Sequence, residues 1–97
     1  MQTMMWVRMV KGHRILKQST IPCVHSEPLE PLLEACHQLD LPRPLWLNKN
    51  QKEWDDFNQT RFTQEHFLES ISFDKLEIEY INPQAQKQKS QDPRNAV

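Results

Sequence analysis

The feature that most constrains the fold is an alternation of apolar and polar residues near the end of the chain. Over residues 75–80, Leu76, Ile78 and Tyr80 alternate with one lysine and two glutamates. Since successive side chains of a strand point to opposite faces, this segment predicts a β-strand with one buried and one solvated face. Such a strand needs neighbouring strands and a covering layer, which the rest of the chain must supply.

Residues 4–10 alternate in the same way and predict a first strand, and residues 13–21 predict a second one. Between them stands Gly12, the single glycine of the 97-residue chain. A lone glycine indicates a backbone position that requires a positive φ. The two segments therefore predict an N-terminal β-hairpin that turns at this glycine.

Two registers of this hairpin compete. A two-residue loop would pair Val7 with Leu16. A three-residue loop, with Gly12 as the left-handed bulge residue, would pair Val7 with Ile15. We favour the three-residue loop, because it keeps Val7 and Ile15 on one face.

Apolar residues at helical spacing predict an amphipathic helix before the middle of the chain. They are Leu29, Leu32, Leu33, Cys36 and Leu39. Ser26 is a candidate N-cap, although a start at Glu30–Pro31 is also possible. The helix must end before Pro42, since a proline disfavours helical backbone in the residue before it.

Residues 41–47 form a proline-rich apolar stretch, predicted to cross the core in extended form. A short helix follows, with Asn48 as N-cap and Gln51 at its third position, and it carries Trp54 and Phe57. Residues beyond it, 58–63, are expected to form a polar loop, after which Thr63 starts one further turn.

Assembled, these elements predict an α+β fold with a small antiparallel three-stranded sheet. The sheet combines the N-terminal hairpin with the C-terminal strand, and one or two helices cover one face. Residues 1–81 are expected to form a single domain. Residues 82–97 are rich in Gln, Lys and Asn, and such a segment is expected to be disordered, because it buries too little apolar surface to offset its ordering entropy.

The net charge of −1 conceals an uneven distribution. Residues 1–26 carry four cations and no acid, residues 27–81 carry a net charge of −7, and residues 82–97 carry +2. Either the basic hairpin complements the acidic body, or it meets an anionic partner. The candidate residues for anion or partner binding are Arg8, Lys11, Arg14 and Lys17.

Enzymatic and metal-binding classes find little support in the sequence. The two cysteines are too few for a disulfide framework. Cys36 falls on the apolar face of the predicted helix, and the adjacent Cys36 and His37 diverge too far to share one ion. A phosphate-cradling loop would need several glycines. We therefore expect no catalytic residue, cofactor or metal.

The composition also favours a cytoplasmic protein. The start of the chain lacks the pattern of a secretory signal, and no apolar run approaches the roughly 18 residues of a membrane span. We expect no membrane association, and the oligomeric state stays open.

Several segments together resemble a group of short bacterial proteins that have no assigned function. The resemblance rests on residues 39–47, on Phe62, on His66-Phe67 and on residues 73–79, and Trp6-Val7 and Ile15 fit it. It covers about residues 5–81. It implies a bacterial, cytoplasmic origin and transfers no catalytic or binding residue.

By elimination, the sequence predicts a small non-enzymatic protein-interaction or regulatory module with a protein partner. The alternative is a nucleic-acid-binding module, because the hairpin carries both cations and Trp6.

Overall fold

The computed structural model of the protein describes residues 2–83. Over these residues the chain forms two strands, two helices, a short strand, one 3-10 turn and a last strand. They are β1 (Met4–Lys11), β2 (Arg14–Pro22), α1 (Leu29–Gln38), α2 (Asn48–Phe57), β3 (Gln59–Phe62), the turn Gln64–His66 and β4 (Lys75–Ile81). Beyond Pro83, the tail expected over 82–97 lies outside the described residues.

The four strands form one antiparallel sheet in the order β2-β1-β4-β3. The α+β class and the antiparallel sheet are thus confirmed, but the prediction of three strands is wrong. Helix α1 packs against β1 and β2, and α2 packs against β3. We call the face they cover the helix face; it carries Met5, Val7 and Met9, all buried. The opposite face, with Trp6 and Arg8, is the open face.

The fourth strand, β3, occupies the segment that the sequence predicts as a polar loop. Asn58 ends α2 with a left-handed φ of 60°, and the chain passes directly into β3. Thr60 and Phe62 then point into the core beside Ile78 and Leu76 of β4. Four residues with one large apolar side chain are too few for a readable alternation, so pairing with β4 decides their conformation.

The hairpin register differs from both predicted alternatives. Lys11 pairs with Arg14, so the hairpin has the two-residue loop Gly12-His13 and not the favoured three-residue loop. Gly12 has a φ of +62°, as predicted. A bulge at Leu16 then shifts the register, and Val7 lies opposite Ser19 rather than Leu16 or Ile15. The sequence predicts the turn but not the bulge.

Helix α1 confirms part of its predicted apolar stripe. Leu32, Cys36 and Leu39 are buried, while Leu29 and Leu33 are 49% and 37% exposed. The small side chain of Ala35 is fully buried instead, so the helix is rotated toward it. No side chain caps the helix: Pro28 is the N-cap, and the predicted cap at Ser26 is wrong.

The crossing at 41–47 lacks regular secondary structure, as predicted. Pro44 is buried, and the partly buried Leu41 and Trp46 pack against the core, whereas Leu45 and Leu47 are 42% and 44% exposed. The expectation that this apolar stretch crosses the core therefore does not hold for Leu45 and Leu47, which lie largely at the surface.

The cap of α2 lies one residue earlier than predicted. Leu47 is the N-cap, and its N–H donates to the side-chain oxygen of Asn50 at 2.9 Å. Trp54 of this helix is fully buried, and its indole N–H donates to the His25 carbonyl at 2.8 Å. Phe57, by contrast, is 67% exposed.

Candidate protein-interaction surface

Arg8 is separated from the other three candidate cations by the pleat of the hairpin. Its side chain lies on the open face, where Nε donates to Glu77 at 2.8 Å and Nη1 donates to Glu79 at 3.3 Å. Its guanidinium lies 4.2 Å from the centre of the Trp6 ring, a cation–π geometry. Arg8 therefore complements the acidic body and is already engaged.

The same ion pairs set the pKa of Glu77. Partial burial raises this pKa, but the hydrogen bonds and charges of Arg8 and Lys75 outweigh the burial, so the pKa lies below its ordinary value. Lys75 approaches Glu77 to 3.1 Å from the other side. The centre of the open face thus holds a network of ion pairs in which the positive charge of Arg8 is already neutralised by Glu77 and Glu79.

Lys11, Arg14 and Lys17 lie on the opposite side of the sheet from Arg8. Lys17 pairs with Met9, which faces the helices, and Lys11 pairs with Arg14 two positions further along β1. Strand alternation therefore places all three cations on the helix face, at the distal end of the hairpin, which is the end that carries the Gly12 turn. Within residues 2–83, none of them forms an ion pair.

Lys17 has one polar partner in the described chain. Its Nζ donates to the carbonyl of Leu39 at 3.3 Å, at the carboxyl end of α1. A cation at this end complements the helix dipole. The carbonyl carries no formal charge, so the positive charge of Lys17 is not neutralised by this contact.

Strand β2 is one of the two edge strands of the sheet, and it is exposed along nearly its whole length of nine residues. The direction of its N–H groups follows from one hydrogen bond, in which the N–H of Cys23 donates to Thr3 at 3.0 Å. Since successive N–H groups of a strand alternate in direction, those of Ile21 and Ser19 point toward β1. Those of Gln18 and Thr20 then point outward, and no described strand pairs with them.

The distal part of the edge adds apolar surface. Ile15 and Leu16, at the bulge, are 45% and 44% exposed. The turn beside them is held in place by the side-chain carboxylate of Asp74, which accepts the N–H of Gly12 at 2.6 Å. The edge is thus anchored to the loop before β4.

The edge at β3 is closed by side chains instead. Asn50 is fully buried and donates to the hydroxyl of Thr60 at 2.9 Å, and Thr60 donates to Glu53 at 2.7 Å. Between α2 and this edge lies a polar cleft of about 220 Å³, bordered by Phe57 and Arg61. Its size suits a few waters or one small polar group.

Other reactive groups are buried and isolated. Cys23 and Cys36 are free thiols, and burial raises the pKa of each to about 11, so both stay protonated near neutral pH. His66 accepts the Thr63 N–H at Nδ1, while its buried Nε2 has no hydrogen-bond partner among residues 2–83. In residues 2–83, no three His, Cys, Asp or Glu side chains are grouped so that they could hold a metal ion.

Neither of the ten-residue helices in the described part of the chain, nor its 3-10 turn, has the length and apolarity needed to cross a membrane.

Comparison with models of protein families, with curated proteins and with solved structures finds no match. The resemblance based on residues 39–47 and 73–79 therefore stays a prediction.

Sequence patterns alone do not identify Gln18 and Thr20. Both are ordinary polar strand residues, and no pattern distinguishes an outward N–H from an inward one. The only usable signal is β4: a strand that pairs with β1 leaves β2 at the edge, and the hairpin register then decides which N–H groups face outward.

Proposed function

We propose that this protein is a non-enzymatic protein-interaction module that binds an extended segment of a partner protein along β2. The observation that supports this best is the long exposed edge, with the N–H groups of Gln18 and Thr20 directed away from β1. In strand addition, such main-chain groups provide affinity, and alternate side chains provide specificity.

The surroundings of the edge fit a peptide. Ile15 and Leu16 offer apolar contacts beside the free main-chain groups. The turn at Gly12 is fixed to Asp74, so the edge is held in its strand conformation before a partner arrives. A preformed edge lowers the ordering cost of binding. The free Cys23 and Cys36 support a reducing, cytoplasmic location as part of this proposal.

A nucleic-acid-binding module is the second candidate, because Lys11, Arg14 and Lys17 share one face without ion pairs in the described chain. It ranks lower, since Arg8 belongs to the opposite face and three cations leave a small electrostatic footprint.

The test is a selection of binders from a library of random nine-residue peptides, followed by measurement with two variants at one position. Thr20→Pro removes an outward N–H without removing a bond to β1, and Thr20→Val keeps that N–H. We expect selected peptides to shift the amide resonances of Gln18 and Thr20, to bind Thr20→Val as tightly as wild type, and to lose at least tenfold in affinity for Thr20→Pro.

Peptides that bind Thr20→Pro as tightly as wild type would contradict strand addition at β2. Failure of any peptide to bind, together with salt-sensitive binding of a labelled oligonucleotide that is lost in Arg14→Gln, would favour the nucleic-acid function instead.

A further inference from the structure

We propose that the segment bound along β2 is acidic, with two carboxylates separated by one residue that face Lys17 and Arg14. This inference rests on the proposed function and specifies the chemistry of its partner.

One side of the edge carries uncompensated positive charge. Strand alternation places Lys11, Arg14 and Lys17 on the helix face of the distal hairpin. Within the described residues, their charged groups form no ion pair and one hydrogen bond, from Lys17 to the neutral carbonyl of Leu39. The nearby Asp74 accepts the N–H of Gly12 at the turn and forms no ion pair with these cations.

The bulge sets the spacing of two of these cations. Arg14 and Lys17 are three residues apart in sequence, but the bulge at Leu16 sets two residues of β2 opposite one of β1. The two cations therefore lie on the same face, about two strand positions apart, or roughly 7 Å. An added strand presents side chains at that spacing from residues i and i+2, so two acids with one residue between them match the pair.

Other occupants of the edge fit less well. Strand β2, residues 14–22, contains no Asp or Glu, so edge-to-edge pairing with a second copy would bring no carboxylate to these cations. A single-stranded nucleic acid would supply charge but would leave the outward N–H groups of Gln18 and Thr20 unused. An acidic extended peptide satisfies both the main-chain groups and the cations.

The test uses three fluorescein-labelled peptides of seven residues. The first is Thr-Val-Glu-Val-Glu-Val-Thr. The second replaces both glutamates by glutamine. The third has the first composition with its glutamates adjacent, so that one of them must face away from the cations. At about 50 mM salt, we expect the first peptide to bind roughly five- to tenfold tighter than either control, as two exposed ion pairs allow.

The protein variants assign that preference to the two cations. The double variant Arg14→Gln, Lys17→Gln changes exposed side chains only, and we expect it to bind all three peptides equally. Arg61→Gln removes an exposed cation from the other edge and serves as the matched control, with the preference retained. Raising the salt should remove the preference, because exposed charges are screened.

The outcomes separate this inference from the proposed function. If all three peptides bind equally and shift the amides of Gln18 and Thr20, the acidic preference is wrong and strand addition stands. If no peptide shifts these amides, strand addition fails, and the acidic partner fails with it. Dimerisation lost in Thr20→Pro would identify a second copy as the occupant and overturn the inference. Tighter binding of an oligonucleotide that displaces the first peptide would do so as well.

Discussion

The two edges of the sheet are built in opposite ways. Strand β3 has four residues, two of them buried, and Asn50 ties it to α2 through Thr60. Strand β2 has nine residues, nearly all exposed, and its outer side meets no described strand. The difference shows that this small core uses its buried side chains to close one edge and leaves the other edge available.

An exposed edge strand is a template for unwanted pairing, and proteins limit this with charges and bulges. Strand β2 has both, in Lys17, Arg14 and the bulge at Leu16. These features oppose pairing with cationic or flat strands, but an acidic segment with matching spacing is not opposed by them. In the proposed function, the same residues protect the edge and select its partner.

Side-chain truncation at the two edges should give the largest difference in unfolding free energy that tests this comparison. Phe62 of β3 is fully buried, so Phe62→Ala should lower the free energy of unfolding by about 3–5 kcal/mol. Ile15 of β2 is 45% exposed, so Ile15→Ala should cost less than about 1 kcal/mol. Urea unfolding of both variants measures the difference. Similar losses at the two positions would show that the side chains of β2 stabilise the core as strongly as those of β3.

A second test sharpens the assignment of outward N–H groups on β2. Ser19→Pro removes an N–H that pairs with β1 and should cost about 3 kcal/mol, whereas Thr20→Pro should cost about 1 kcal/mol or less. Ser19→Ala and Thr20→Val are the controls for the lost side-chain contacts, among them the bond from Ser19 to Gln38 at 2.8 Å. Thermal or urea unfolding measures each pair. The reverse order would place the register of β2 one residue away from the one described.

The smallest effect concerns the ionic network between the edges. Because the pKa of Glu77 is lowered in the folded protein, its stabilisation is present above the ordinary value of 4.5 and is lost as the pH falls through the lowered pKa. Glu77→Gln should therefore cost about 1 kcal/mol near neutral pH. Near pH 2, about 2.5 units below that ordinary value, the difference between the variant and wild type should be smaller than at neutral pH.

Urea unfolding of wild type and Glu77→Gln at both pH values measures this decrease. Glu65→Gln, an exposed acid outside the ion pairs of the described residues, is the control and should show no such pH dependence. If the difference in unfolding free energy between Glu77→Gln and wild type stays constant across this pH range, the ionisation of Glu77 does not contribute to stability.

The sequence predicts the parts of this fold that repeat a period and misses those fixed by tertiary pairing. The alternation at Leu76 and Ile78 and the helical spacing of Leu32 and Cys36 both identify buried faces correctly. Strand β3 is not predicted, because its conformation depends on pairing with β4. The bulge at Leu16 is not predicted, because no residue type requires a bulge at this position.

The sequence indicates some residues of the candidate surface but not their arrangement. The sequence identifies the cations of the hairpin but groups Arg8 with Lys11, Arg14 and Lys17, because charge counts do not record the face of a strand. The hairpin register separates Arg8 from the other three. It also decides which N–H groups of β2 are free, and that register depends on the bulge, which the sequence does not reveal.

The sheet order has a consequence for synthesis on the ribosome. Strand β1 is central, yet one of its neighbours, β4, begins 53 residues after β2 ends. At about 5–20 residues per second, several seconds pass between the emergence of the hairpin and that of its second partner. During that interval the main-chain groups of β1 that pair with β4 in the folded sheet have no partner strand. The nascent chain is thus most vulnerable to misassembly before β4 is translated, and variants that slow elongation across residues 23–74 should reduce the soluble yield without altering the folded protein.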